Sequence, residues 1–221
     1  MDWQTIDAYY HQHRAAYPDP FRLRIHRAIS WLKAATEAQK QPKNLDFRFI
    51  ALWVAFNAAY AKEIDGRTMS AERSDFQQFL QTVCYLDQER LLYQLVWQTY
   101  SGSIRLLLDN RYTFQPFWDF HNGKTNETAW LDDFACAKKK AHTALAAQDT
   151  DTVLFVLFDR LYTLRNQIVH GGATFASSAN RSQLKDACNI LSALIPIILH
   201  IMQQHSDRDW GKPFYPFVKE N

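Results

Sequence analysis

Apolar residues between Val153 and His170 recur at the spacing of one face of an α-helix. Side chains three and four positions apart form a stripe that only a packed core can cover. Gly171 and Gly172 follow directly, and they predict that the helix ends there. A helical period of this length, closed by a stop signal, constrains the fold more than any other feature. The stripe consists of Leu154, Leu157, Phe158, Leu161, Leu164 and Ile168.

The same helical period continues elsewhere, and only six glycines and seven prolines interrupt the 221 residues. No segment alternates apolar and polar residues as a half-buried strand does. We therefore predict an all-α fold. A single domain is expected over residues 1–221, with its core at 20–205 and a C-terminal tail at 206–221.

Helix breakers divide the chain into separate predicted helices, with an aromatic loop or short turns at Asn110–Gly123. Asp46–Ile64 is apolar nearly all round and is expected to be the central helix. The last helix is expected to bend at Pro196. The predicted helices are Phe21–Gln39, Asp46–Ile64, Ser70 or Ser74 to Asp87, Gln88–Leu108, Asn126–Ala147, Thr150–His170 and Asn180–His205.

Composition excludes several classes of protein. Apolar residues make up 47% of the chain and aromatic residues 14%, which indicates a folded domain. A net charge of +2 excludes a broad basic surface but is compatible with a compact nucleic-acid site. Three distant cysteines indicate neither a disulfide framework nor a CxxC site. No histidines have metal-ligand spacing, so we expect no metal and no cofactor.

One apolar run bears on the location of the protein, and two basic runs bear on its charge. The longest apolar run, Ile190–Met202, is too short to span a bilayer, and no signal segment precedes the first helix. We therefore expect a cytoplasmic protein without membrane association. The basic runs Arg22–Arg27 and Lys138–Lys140 could contact phosphates, but such runs are more typical of solvated helix faces.

Arg165, Asn166 and His170 lie at the end of the helix that opens at Thr150. At about 100° per residue, Arg165 falls inside the apolar stripe, near Leu154 and Phe158. Burial of a guanidinium costs several kcal/mol unless the group is paired, so Arg165 should lie in an internal ion pair or a cleft. Asn166 and His170, four residues apart, share the border of the stripe, and the helix dipole favours an imidazolium at His170.

The sequence Arg165-Asn166-x-x-x-His170 resembles the R-x4-6-H signature of the HEPN superfamily, which are all-α domains. Two further segments, Phe49–Tyr60 and Trp210–Pro216, are similar to a bacterial, Apea-like branch of that superfamily. The likeness covers about residues 20–217. It implies a HEPN-like antiparallel helical bundle, with additional helices and an aromatic loop in this chain.

The resemblance also implies a metal-independent endoribonuclease that cleaves RNA through attack of its own 2′-OH. His170 would move a proton at the 2′- or 5′-oxygen, and Arg165 would stabilise the anionic phosphorane. Asn166 would orient the phosphate or His170, although a helix-terminal Asn needs no such role. Family members act as toxins or defence effectors, so an antitoxin or regulatory protein is an expected partner.

A homodimer through the motif helix is the other expected partner. In related domains two copies of this helix meet across a two-fold axis and form one cleft. The helix carries apolar side chains beyond its main face, which a second copy could cover. These side chains are Val153, Phe155, Val156 and Val169.

Other functions remain open at the level of sequence. The chain could be a non-catalytic HEPN module that binds a nucleotide or a protein partner. Superfamily members that are paired with minimal nucleotidyltransferases often carry a Tyr two residues after the motif His. This chain has Gly172 at that place, which disfavours that subtype. A structural bundle with a coincidental motif is the third alternative, with Arg165 paired to a buried carboxylate and His170 as a helix cap.

The segment Phe114–Phe120 could stack on unpaired bases, but an aromatic loop packed over the bundle is favoured.

Overall fold

The computed structural model describes residues 1–62, 69–178, 180–213 and 215, and these residues form helices and no strand. The predicted all-α class is confirmed. Short 3₁₀ turns connect some of the helices. The α-helices of the described residues are α1 (Trp3–His13), α2 (Asp19–Gln39), α3 (Leu45–Tyr60), α4 (Met69–Leu86), α5 (Leu91–Gln94), α6 (Ser101–Leu108), α7 (Gln115–His121), α8 (Glu127–Ala146), α9 (Thr150–Val169) and α10 (Arg181–Gln204).

The chain divides into two compact units. One consists of Met1–Gln88 together with Cys188–Asn221, and the other consists of Glu89–Ala187. The first unit therefore contains α1 to α4, and the second contains α5 to α9. The division falls within α10, between Ala187 and Cys188.

In the first unit, α2 packs along the length of α3. Only Phe47 of α3 is exposed, as the apolar composition of this segment predicted. From Cys188 onward α10 is also buried on most sides. By length and composition α10 could cross a membrane, but 67% of its most apolar window is buried inside the protein. A buried core helix passes the same test of length and composition, so this feature is weak evidence for a membrane span.

Two predicted boundaries of unit one differ from the structure. Helix α3 ends at Tyr60, and Ala61 is extended, whereas the sequence predicted a helix to Ile64, a residue outside the described ones. The reason is tertiary: the last carbonyls of α3 find side-chain donors instead of a further helical turn. Ser70 and Ser74, the two caps that the sequence offered, lie within α4, which is described from Met69.

The predicted continuous helix Gln88–Leu108 is wrong. Arg90 has a left-handed backbone with φ 57°, and the α-helix that follows it, α5, ends at Gln94. A π-helical turn at Leu95–Thr99 comes next, in which the Tyr100 N–H donates to the Leu95 carbonyl at 2.9 Å. Helix α6 then starts at Ser101. Ser and Gly have low propensity for the interior of a helix, so the sequence Ser101-Gly102-Ser103 was the available signal for this break.

Two short helices were not predicted as such. Helix α1 buries only Ile6 and Tyr10, too few apolar residues to give a clear period. Helix α7 lies in the predicted aromatic loop and begins with Gln115-Pro116. Proline suits the first turn of a helix because its missing N–H has no helical partner there.

Arg24 on α2 is fully buried and caps the end of α3. Its Nη1 donates to the carbonyls of Ala59 and Ala61, each at 2.8 Å, and its Nη2 donates to the Gly211 carbonyl at 3.0 Å. Burial lowers the pKa of Arg24 to about 10, so the group stays charged at neutral pH. The expectation of a solvated face over Arg22–Arg27 is therefore wrong for Arg24.

We predict that Arg24→Met lowers the free energy of unfolding by about 3 kcal/mol, because it leaves buried carbonyls without donors. Arg22→Met is the matched control. Arg22 is an exposed residue that pairs with Asp19 at 2.6 Å on the surface, so its loss should cost less than about 1 kcal/mol. Urea unfolding measures both variants. Equal, small effects would show that α3 does not depend on this cap.

Candidate functional site at the end of α9

Helix α9 begins with a local cap and then enters the core of the second unit. The Asp149 carboxylate accepts the Thr152 N–H at 3.2 Å, which satisfies one of the free donors of the first turn. Every position from Val153 to Phe158 is buried. Burial stops at Leu164, and the last turn emerges at the surface. The buried part of α9 therefore fixes the helix in the core, and the residues after Leu164 extend from it to the surface.

Arg165 lies at the margin of the core rather than inside it. Arg165 is half-buried, and the buried arginine of α9 is Arg160, which is only 2% exposed. Helical periodicity gives the direction of a side chain around the axis but not its depth along the axis. Because the helix leaves the core after Leu164, the same direction points into the core at Phe158 and toward the surface at Arg165.

Arg165 is held by a neutral group. Its Nη1 donates to Oδ1 of Asn166 at 2.9 Å, and its Cζ lies 5.9 Å from the centre of the Tyr162 ring. Within the described part of the chain no carboxylate forms an ion pair with Arg165. The internal ion pair that a purely structural role would provide is therefore missing among these residues, and the guanidinium keeps its net charge.

His170 is the C-cap of α9 and is exposed. Its backbone N–H donates to the Asn166 carbonyl at 3.0 Å. Its imidazole forms no hydrogen bond with the residues that the structure describes. Asn166 is thus bonded to both motif residues, to Arg165 through its side chain and to His170 through its backbone.

Gly171 and Gly172 end the helix as predicted. Gly171 has φ +69°, and its N–H donates to the Ile168 carbonyl at 3.2 Å. The Gly172 N–H donates to the Gln167 carbonyl at 2.7 Å. This is the Schellman pattern of a helix C-terminus, which satisfies carbonyls that have no helical partner. The turn fixes the backbone of His170.

Gln167 is the site residue that sequence reasoning missed. Its Nε2 donates to the Tyr112 carbonyl at 2.8 Å, and its Oε1 accepts Nδ2 of Asn180 at 2.8 Å. The end of α9 is therefore tied to the turn before α7 and to the segment before α10. A glutamine at a helix end is too common in sequence for this role to be recognised there.

Arg160 differs from Arg165 in its surroundings. Its guanidinium carbon lies 4.5 Å from the centre of the Phe114 ring, and its Nε and Nη2 are buried without a hydrogen-bond partner among the described residues. Burial lowers the pKa of Arg160 to about 10. Asp159 and Asp109 act against this by favouring the charged form. Arg160 is thus a cation under the aromatic segment, away from solvent.

The aromatic segment is packed rather than open, as the sequence favoured. Phe114 and Phe117 are buried, and the Phe117 ring meets the Trp130 ring edge-on at 5.2 Å. The Trp118 Nε1 donates to the Tyr112 carbonyl at 2.9 Å. Tyr112, just before this segment, is 40% exposed.

Arg165 and His170 do not share one side of the helix. Five positions separate them, which is about 140° around the axis. A ligand at the helix end can contact both only by wrapping around the terminus or by lying between two such termini.

In the described ranges, no three His, Cys, Asp or Glu side chains are grouped as metal ligands are. Comparison of the chain with protein-family models, curated proteins and solved structures gave no match.

We predict that Gly171→Ala lowers the free energy of unfolding by about 1 kcal/mol, because a side chain is strained at φ +69°. The matched control is Gly102→Ala in α6, where nothing lies within 4 Å of the position that a Cβ would take. That substitution should raise stability by about 0.5–1 kcal/mol through helix propensity. Denaturant melts of both variants measure the contrast. A Gly171→Ala protein as stable as the parent would contradict the assigned cap.

Proposed function

We propose that this chain is a metal-independent endoribonuclease of the HEPN type, cytoplasmic, and a toxin or defence effector. Arg165, Asn166 and His170 would form its site. The observation that carries the proposal is the environment of Arg165. No carboxylate among the described residues pairs with it, its Nη1 donates to the Asn166 side chain, and the Asn166 backbone carbonyl accepts the N–H of the exposed His170. The proposal also draws on the R-x4-6-H resemblance at these residues.

The charge of Arg165 suits a phosphate. A guanidinium that pairs with a carboxylate has little charge left for a ligand, whereas an amide oxygen occupies one donor and leaves the net charge unchanged. The remaining N–H donors of Arg165 can bind the non-bridging oxygens of a phosphodiester. In the reaction they would stabilise the additional negative charge of the phosphorane.

His170 suits proton transfer. His170 is exposed, so its imidazole can reach a bound RNA strand, and histidine is the side chain that most often transfers protons in enzymes. In the proposed reaction the 2′-oxygen forms a bond to phosphorus, and the bond from phosphorus to the 5′-oxygen breaks. His170 accepts the proton of the 2′-OH or donates a proton to the leaving 5′-oxygen. Water or the second copy of the site makes the other transfer.

We also propose a homodimer through α9, although for a narrower reason than the sequence gave. Val153, Phe155 and Val156 are buried within the chain, so the expectation that they need a second copy is wrong. Two apolar side chains near Arg165 remain exposed, Tyr162 at 48% and Val169 at 50%. A second copy would cover them and bring Arg165 of one copy toward His170 of the other.

Our first functional prediction is that His170→Ala and Arg165→Ala each abolish RNA cleavage and leave the helical circular dichroism unchanged. His170 is exposed and Arg165 is half-buried, and both lie beyond Leu164, the last buried residue of α9. The matched controls are His11→Ala and Arg105→Ala, two exposed residues of other helices, which should keep full activity. Cleavage of a mixed RNA pool measures all four variants. Full activity of His170→Ala would refute the assignment.

The products test the chemistry in the same assay. Attack by the 2′-OH leaves a 2′,3′-cyclic phosphate, needs no metal-bound water and is impossible in DNA. Cleavage should therefore persist in EDTA, and an all-deoxy strand should stay intact. Cleavage of that strand would exclude the proposed route.

The second functional prediction concerns the dimer. Light scattering should give twice the chain mass at micromolar concentration, and Val169→Asp should shift the protein toward monomer because it places a charge in the proposed interface. Leu106→Asp is the control, since Leu106 is 68% exposed on α6. It should leave the mass unchanged. A wild-type protein that is monomeric and fully active would contradict the shared site.

A further inference from the structure

Arg111 and Tyr112 form an exposed pair just before α7. The Arg111 carbon Cζ lies 5.0 Å from the centre of the Tyr112 ring, and its Nη2 donates to the Tyr112 hydroxyl at 3.0 Å. Both residues are exposed, with Tyr112 at 40%. An aromatic ring and a cation are therefore presented together at the surface of the second unit.

The backbone under this pair is fixed from several directions. The Tyr112 N–H donates to Oδ1 of Asn110 at 2.8 Å, and the Tyr112 carbonyl accepts both Trp118 Nε1 and Gln167 Nε2. The Phe117 ring meets the Tyr112 ring edge-on at 5.4 Å. A ring held in this way loses little conformational entropy when a ligand stacks on it.

The same contacts connect the pair to the end of α9. Gln167 lies directly after Asn166, and its side chain reaches the Tyr112 carbonyl at 2.8 Å. The Tyr112 backbone and the residues of the proposed cleavage site therefore lie on one hydrogen-bonded framework within the second unit. Gln167 and His170 are three positions apart and are therefore neighbours on the helix surface, so an RNA strand bound at His170 would run toward this pair.

We infer that Tyr112 is a stacking platform for an unpaired base of single-stranded RNA and that Arg111 contacts the adjoining phosphate. This inference rests on the proposed ribonuclease function and names its substrate class. Stacking on an aromatic side chain requires a base that is free of a duplex, because paired bases are covered by their neighbours.

The charge of the chain favours a single strand over a duplex. A net charge of +2 does not support the many phosphate contacts by which proteins hold double-stranded nucleic acid. Recognition must then come from a few local contacts, and one stacked base beside one arginine is such a contact.

The test uses the full chain with His170→Ala, so that RNA is bound without turnover. The probe is a short single-stranded RNA that contains 2-aminopurine, whose fluorescence falls when the base stacks. Tyr112→Leu should weaken binding about tenfold and abolish the quenching, the effect of one lost aromatic partner. Tyr112→Phe keeps the ring and should keep both. Arg111→Gln should weaken binding and lower its salt dependence by about one phosphate contact.

A matched duplex of the same sequence is the specificity control, and it should bind weakly and without regard to Tyr112. Unchanged single-strand affinity of a folded Tyr112→Leu protein would overturn the inference, as would equal losses for strand and duplex. In the active chain, cleavage with an unchanged KM after Tyr112→Leu would refute the platform and leave the nuclease intact. Tyr112-dependent binding without any cleavage would refute the nuclease and leave the platform. Absence of RNA binding would refute both.

Discussion

The carbonyl groups at the end of a helix must find donors, and α3 and α9 meet this need in different ways. Helix α3 meets it through Arg24, whose guanidinium comes from another helix and also binds the Gly211 carbonyl. Helix α9 meets it through its own following residues, Gly171 and Gly172. The first solution joins α2 to the end of α3 and to Gly211, and the second leaves the end of α9 open to solvent.

The open end of α9 decides which side chains are available for chemistry. Arg160 and Arg165 lie on the same helix, but only Arg165 lies past the point where burial stops. Arg160 faces Phe114 without hydrogen bonds to the described residues at its Nε and Nη2, whereas Arg165 is bonded to Asn166. The proposed site therefore needs the emergence of the helix as much as the motif itself.

Gln167 and Tyr112 show how the site could extend beyond the motif. The glutamine amide binds the Tyr112 carbonyl and also accepts from Asn180, so three segments meet at the helix end. Such a framework restricts the motion of the residues it joins. Under the proposed function, catalysis and base recognition would share one rigid support, which favours a ligand bound in a single register.

The sequence by itself determined the features that depend on neighbouring residues. The all-α class followed from the helical period, and the end of α9 followed from two glycines, because both are local properties of the backbone. The tertiary structure decided what depends on depth and distance. Three such features are the burial of Arg160, the cap by Arg24 and the link from Gln167 to Tyr112. None of them has a local signal, since each requires a residue far away in the chain.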